Sequence, residues 1–390
     1  MRIVIVGAGI AGLTLATALA RSGIRVVLLD QNQELRPVGA GLQLAPNAAR
    51  LLLRLGLGDA LAKVAVRPES HDMLRWNDGL LLHSTPLGTD YERRYEAPFY
   101  TLLRSDLHRI LLDAVPSGSV RRGRYVTDVL ESSDGVTLCC ADGQEVHGDV
   151  AVGADGIHSV MRGVLNTEKH RFAGRNLYRG LVPAERVTGF GAEPRIRVWM
   201  GAETYFSCYP VSSGATISFN ASVPTQVVRP ESWTAQGRIS DLKQAFQDWS
   251  PDILSVVSGA DWIGRWVLHD RDAATDWHRG RIALMGDAAH PMLPFFAQGA
   301  NQAVEDAIVL ASCLRTATAF TADQALARYA ALRRERTERI HALSRELMHR
   351  LTGTGSEDSG RRTAVLRNAE LANADWIYGH DVAAETGGGL

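Results

Sequence analysis

Arg2-Ile3-Val4-Ile5-Val6-Gly7-Ala8-Gly9-Ile10-Ala11-Gly12 runs into Leu13–Ser22 and then, past Gly23, into Ile24–Asp30. The β-branched run before Gly7 predicts a strand buried on both faces, as in a parallel sheet. Leu and Ala at helical spacing over 13–22 predict a helix that Gly23 closes at its C-cap. Ile24–Asp30 is the next strand, so residues 2–30 make one βαβ unit. A Gly-x-Gly-x-x-Gly pattern alone is weak. Set between strand and helix, with Asp30 eighteen residues past Gly12, it is a dinucleotide fingerprint. Gly7 allows the tight turn, Gly9 lets the backbone approach a pyrophosphate, and Gly12 lets helix and strand pack closely. The helix start around Ala11 presents free N–H groups and the positive dipole end to the phosphates. Asp30 would accept hydrogen bonds from a ribose diol and repel a 2′-phosphate, which suits FAD or NAD better than NADP. The plain alternative is a glycine-rich turn that binds nothing.

Ile3–Ala20 also carries no charge and is flanked by Arg2 and Arg21, the profile of a leader or a short membrane span. The three glycines, the single basic residue ahead and the polar-stopped run Val26–Asp30 behind favour the βαβ reading. Composition agrees. Across 390 residues, 42 Lys and Arg against 43 Asp and Glu leave a net charge of -1, so no basic surface suits nucleic acid or anionic lipid. With 45% hydrophobic and 22% charged residues, the chain is globular rather than disordered and long enough for two interlocked domains. Cys139 and Cys140 are adjacent, Cys208 and Cys313 isolated, and no Cys/His cluster offers a metal site. A reduced, cytoplasmic protein off the membrane is expected.

From Arg175 to Trp266 the pattern changes to short strands at Arg195–Met200, Tyr205–Val211 and Ala215–Ser222, dense in aromatics, with one helix near Asp241–Trp249. An apolar strand returns at Arg281–Met285 and runs into Gly286-Asp287. Helices are predicted from Gly299 to Arg315 and from Ala322 to Leu351; the first carries an apolar stripe from Ala300 to Leu314. The charges Arg333, Arg334, Glu335, Arg336, Glu338 and Arg339 read as a solvated helix face. Gly353–Gly360 reads as a linker, and the glycine-ended tail from Ala384 as disordered. The division is therefore 1–174 and 269–350 for a Rossmann-like α/β domain, 175–268 for an interposed antiparallel sheet, and 351–390 for a linker and C-terminal segment. Neither Gly39-Ala40-Gly41 nor Gly189-Phe190-Gly191 places a third glycine correctly, so a single dinucleotide has a dedicated fold.

Two further stretches join the fingerprint: Gly153-Ala154-Asp155-Gly156-Ile157-His158-Ser159-Val160-Met161-Arg162, and Gly286-Asp287-Ala288-Ala289-His290-Pro291 with Pro294, Ala297-Gln298-Gly299-Ala300-Asn301 and Glu305-Asp306-Ala307. In this order they resemble the single-component (group A) flavoprotein aromatic hydroxylases of the salicylate, 3-hydroxybenzoate and 6-hydroxynicotinate type. The resemblance runs over almost the whole chain and is specific for the superfamily, much less so for the substrate. It implies an extended FAD, with Asp287 on the ribityl hydroxyls and the helix from Gly299 and Ala300 aimed at the flavin pyrimidine. It likewise implies Arg104 near the pyrophosphate, Val126 by the adenine, Gln43 beside the flavin ring, and Asp155-Gly156 serving FAD and a passing NADH or NADPH. Taken alone, Asp287 reads as a helix cap and Arg104 as a surface arginine.

The chemistry implied is reduction of FAD by NAD(P)H, addition of O2 as a C4a-hydroperoxyflavin, and transfer of OH to an electron-rich ring, such as a salicylate-like acid. Tyr209 matches a tyrosine that contacts or helps deprotonate the substrate in relatives. Tyr205 stands where several relatives carry a histidine, which puts the usual acid/base assignment in doubt. An unperturbed tyrosine pKa of about 10 makes a poor base, so orienting the substrate is the other role open to Tyr209. Both also read as sheet core. Pro294 and Phe295 are expected to wall the pocket, with Phe296. The alternatives are a hydroxylase or epoxidase of a non-phenolic natural product, and a flavin-linked reductase. Monomer and homodimer are both open.

Overall fold

The strand Arg2–Val6 sits at the centre of a parallel sheet because every residue after Arg2 is apolar and buried, with helices covering both faces. The computed structural model describes all residues except 35–39, 166–169, 191–192, 202, 228–234, 353–372 and 388–390. The linker expected at Gly353–Gly360 and the final residues of the tail lie outside them, as do Gly39 and Gly191. The sheet runs His278–Arg279, Ile282–Leu284, Val150–Gly153, Arg2–Val6, Arg25–Asp30, Val120–Arg122, parallel but for the edge strand His278–Arg279. Arg2–Val6 has a parallel neighbour on each side, Val26 and Val150 both facing Ile3. The crevice at its carboxyl end is therefore the switch point where such folds bind ligands. Helix Ile10–Arg21 leaves that crevice, packed against helix Gly299–Arg315.

The second layer is a seven-stranded sheet in the order Ile263–Arg271, His170–Pro183, Thr216–Pro224, Tyr205–Val211, Arg195–Met200, Ser70–Arg75, Leu81–Pro86. It extends beyond the stretch 175–268, because Ser70–Arg75 joins Arg195–Met200 as a parallel strand and Leu81–Pro86 follows it by a hairpin. One face packs on helices Ile239–Ala245 and Pro251–Gly259 around Trp199, Phe206, Phe219 and Phe246. The helix expected at 241–249 is shorter, ending at Ala245, and a second helix, Pro251–Gly259, follows it, started by its proline. The opposite face turns toward the crevice.

Helix Ala322–Thr352 corrects the reading of its charges. Arg333 and Arg336 do not face solvent; they are 1% and 6% exposed. Three residues apart, they share the inner face of the helix and meet acids on Gly299–Arg315. Arg333 donates to Glu305 Oε2 (2.6 Å) and Asp306 Oδ1 (2.8 Å), and Arg336 donates to both Glu305 oxygens (2.7 and 2.8 Å). Asn47 Nδ2 adds 2.6 Å to Glu305, and His290 Nε2 lies 2.5 Å from Asp306.

Burial lowers the pKa of His380 to about 4, and it also lowers His108 and His341. A histidine depressed on folding contributes stability that is present above its unfolded pKa of about 6.5 and lost as pH falls through the folded value. Asp155 and Asp287, raised by burial, act in the opposite sense. Urea unfolding midpoints should therefore fall between pH 6.5 and 4; a flat midpoint over that window would show that the histidines do not govern it.

Candidate active site

A single cleft of about 2180 Å³ runs from the end of Arg25–Asp30 to the inner face of the seven-stranded sheet. Small-ligand pockets span roughly 300–1,000 Å³, so this one has room for an extended dinucleotide and a further small molecule. At its origin Gly7 has φ +105°, and a Cβ there would meet the Ala154 carbonyl oxygen at 2.4 Å. Gly12 lies behind the lining, where a Cβ would meet Gly7 O at 2.0 Å, so it serves packing. Gly9 is different: nothing lies within 4 Å of its Cβ position, which faces the open cleft beside Ala11. Asp30 lines the cleft, yet its carboxylate also accepts from Ala8 N (2.8 Å) and Asn32 N (2.8 Å), pinning the turn it serves. Val126 lines the same end.

Arg104 begins helix Arg104–Ala114, its N–H donating to Ala40 O (2.9 Å). Its side chain is open to water-sized space and yet deep in the protein, because that space is the cleft. Desolvation lowers its pKa and the charge of Asp287 opposes the shift. The guanidinium makes no hydrogen bond to another described residue. Asp287 sits in the turn Gly286–Ala288, held by Gly286 N donating to Asp306 (2.9 Å). Met285, not Asp287, occupies the cap position of that turn. Burial raises the Asp287 carboxyl, against the pull of His290 and Arg104. One Asp287 oxygen is 3.9 Å from where a Gly299 Cβ would stand, at the start of helix Gly299–Arg315. Gln298 caps that helix without a side-chain bond, leaving first-turn N–H groups of Gly299 and Ala300 beside the cleft. Ala297, just before, is left-handed at φ 51°, a strained conformation for a residue with a Cβ. Asn301 ties this turn to Gln43 by donating to its carbonyl (3.1 Å).

Asp155 and Gly156 also line the cleft. The Asp155 carboxylate, however, is spent within its own loop, accepting from Ser159 Oγ (2.5 Å), Val160 N (2.8 Å) and Met161 N (3.2 Å).

Beyond Gly299 the cleft continues over the sheet. Pro294 and Phe295 stand on one side; Phe295 meets Tyr205 edge-on at 5.7 Å, and Phe296 packs into the cluster that holds Tyr209. On the sheet Tyr205, Ser207 and Tyr209 share one face, alternating along their strand. Burial pushes Tyr205 to about 12 and raises Tyr209, whose anion Asn220 and Ser218 would stabilise. Both hydroxyls therefore stay protonated at neutral pH, able to donate and unsuited to removing a proton. Gly41 presses against this corner: its N–H donates to Ser218 Oγ (3.0 Å), and a Cβ would meet Tyr209 at 2.7 Å.

Sequence reasoning missed the sheet's other contributions to the chamber: Arg179, Asn220, Ile196, Val198, Met73 and His71. Arg179 left a signal, a charge in the inward phase of the strand that also carries Leu177 and Leu181. His71 and Met73 left none, because nothing local reveals that Ser70–Arg75 joins a sheet formed more than a hundred residues later.

A family described as an FAD binding domain matches residues 1–344. The chain belongs to this family of FAD-dependent aromatic monooxygenases. It is 41% identical to a 3-amino-4-hydroxybenzoate 2-monooxygenase of Streptomyces platensis, over 98% of this chain and 96% of that one. It is 34% identical to 3-hydroxybenzoate 6-hydroxylase 1 of Aquipseudomonas alcaligenes, over 97% and 98%. The solved complex of Klebsiella pneumoniae HpxO with FAD and uric acid superposes with a TM-score of 0.84 at 27% identity, over 97% and 95%. The monooxygenase uses FAD, and the open side of Gly9, the unspent first turn at Gly299 and the unpaired Arg104 fit its phosphates and flavin. Among the described residues no helix is long and apolar enough to cross a membrane.

Proposed function

We propose that this monooxygenase hydroxylates a small phenolic acid, an aminohydroxybenzoate or a close analogue, consuming NAD(P)H and O2. The observation that carries the reading is the chamber beyond Gly299, walled by Phe295, Val198, Ile196 and Met73 and given a hydroxyl-recognition corner by Tyr209, Asn220 and Ser218. The 41% identity to an aminohydroxybenzoate monooxygenase supports the substrate class. Bound FAD supplies the reducing equivalents taken from NAD(P)H and the activation of O2. Around it, Gly7, Gly9, Ala11 and Arg104 hold the pyrophosphate end, Asp30 and Val126 the adenosine end, and Asp287 the ribityl chain. Gln43, Gly299 and Ala300 border the ring. Tyr209 donates to the substrate's ring oxygen and orients it, and Tyr205 with Phe295 and Pro294 keeps water out. The four cysteines are unpaired, in keeping with a cytoplasmic setting.

A screen of phenolic and aminophenolic acids, following both nicotinamide oxidation and product mass, tests the reading; acceleration of NAD(P)H oxidation by none of them would end it. Within such turnover Tyr209→Phe should keep its flavin and lose about 10- to 100-fold in kcat/KM, as expected for one hydrogen bond to a charged oxygen. More reduced oxygen should then escape as peroxide. Unchanged product yield and peroxide leak would remove Tyr209 from the site.

A further inference from the structure

Arg175 and Arg179 lie on the same strand of the chamber sheet, and their surroundings differ. Arg175 is satisfied: its Nε donates to Ser222 Oγ (2.7 Å) and its Nη2 to the Glu203 carbonyl. Arg179 is not. Its Nε is shut off from water with no acceptor, and among the described residues its guanidinium makes no hydrogen bond or ion pair. Its one contact of note is the face of Trp266, 5.2 Å from the ring centroid. The ionisable groups that bear on it most are Tyr209, Tyr205 and Arg104, none of them a carboxylate. A desolvated cation without an anion is a costly arrangement that a bound anion relieves.

The register says where that anion would lie. Arg179 faces Asn220, Asn220 faces Ser207, Ser207 faces Val198 and Val198 faces Met73, a single row across the chamber floor. The row begins cationic, passes two neutral hydrogen-bonding side chains and ends apolar. Tyr209, opposite Ser218, stands two strands and two residues from Arg179, about 12 Å at the backbone, and both side chains line the chamber. Arg104 lies toward the phosphate end of the cleft and is taken up there. Resting on the substrate class proposed above, the geometry points to Arg179 as the receptor of the aromatic acid's carboxylate, with Asn220 beside it and Tyr209 at the ring oxygen. Arg179 thereby selects acids over neutral phenols of the same shape.

The holoenzyme and its R179Q and R179K variants test this, with flavin absorbance changes reporting binding of 3-amino-4-hydroxybenzoate and of its uncharged amide. The same titration is run with the other acids of the screen and their amides. Wild type should prefer acid to amide by about 100-fold, the order of a buried charge pair. R179Q should lose that preference, weakening the acid about 100-fold and the amide less than about threefold; R179K should recover part of it. Flavin content and midpoint potential should be unchanged in both variants. Equal weakening of acid and amide, or a shifted flavin potential with no acid-specific loss, would overturn the role of Arg179 and leave the substrate class standing. If no aromatic acid binds the wild-type enzyme, the substrate class falls and the carboxylate role falls with it.

Discussion

Asp287→Ala should yield a folded protein that has lost most of its flavin. Asp287 occupies the middle of the turn Gly286–Ala288 rather than its cap, so its removal opens no helix end. The turn itself is held from elsewhere, by Asp306 accepting from Gly286 N at 2.9 Å. What the substitution deletes is a carboxylate that lines the cleft within the field of Arg104 and near the first turn of Gly299–Arg315. Loss of a charged, desolvated acceptor for hydroxyls costs about 1.5–3 kcal/mol, or roughly 10- to 150-fold in affinity for FAD. Asp287→Asn should fall between the two, since an amide still accepts. The ratio of flavin to protein absorbance after gel filtration reads the effect, alongside the unfolding midpoint of the apoproteins. Near-full occupancy in the alanine variant, or a large loss of apoprotein stability, would return Asp287 to the role of a plain structural acid.

Glu305→Gln should do the reverse, striking stability. Glu305 is fully buried and receives Arg333, Arg336 and Asn47. Its carboxyl is held well below the usual range because the two guanidinium groups outweigh the burial that would raise it. The ion pairs themselves add little over a well-packed apolar core, since desolvation consumes most of the Coulomb gain. Removing one partner is another matter: two arginines remain buried with less than their complement of charge. A loss of about 3–5 kcal/mol is expected, read as a lowered urea midpoint with unchanged slope. A loss under about 1 kcal/mol would mean that the network relaxes or admits water.

The contrast between these acids shows what a sequence can display. The βαβ unit was legible because its glycines stand at fixed spacing in one short stretch between strand and helix, although their reasons differ: Gly12 is required by the nearby Gly7 O, and Gly7 by the distant Ala154 O. Strands Arg195–Met200 and Tyr205–Val211 and helix Gly299–Arg315 match their predicted bounds for the same reason, since alternation and helical spacing are local properties. Arg333 and Arg336 were misread because a run of mixed charge has the same local signature whether its partners are water or a facing helix. Only the tertiary contact with Glu305, 28 residues from Arg333 and 31 from Arg336 along the chain, and with Asp306, 27 from Arg333, distinguishes them. Arg179 was passed over because its significance is a missing partner, and absence of a contact is a property of the fold. Tyr209 was found through family resemblance; its neighbours Ser218 and Asn220 come from pairing with the next strand, a register that no motif records.

The most direct measurement is turnover of an aminohydroxybenzoate under 18O2 in ordinary water, with the product mass resolved. One atom of 18O should enter the ring for each NAD(P)H productively consumed, and product should vanish without oxygen. Product carrying oxygen from water, or a substrate reduced under anaerobic conditions, would contradict hydroxylation by this enzyme.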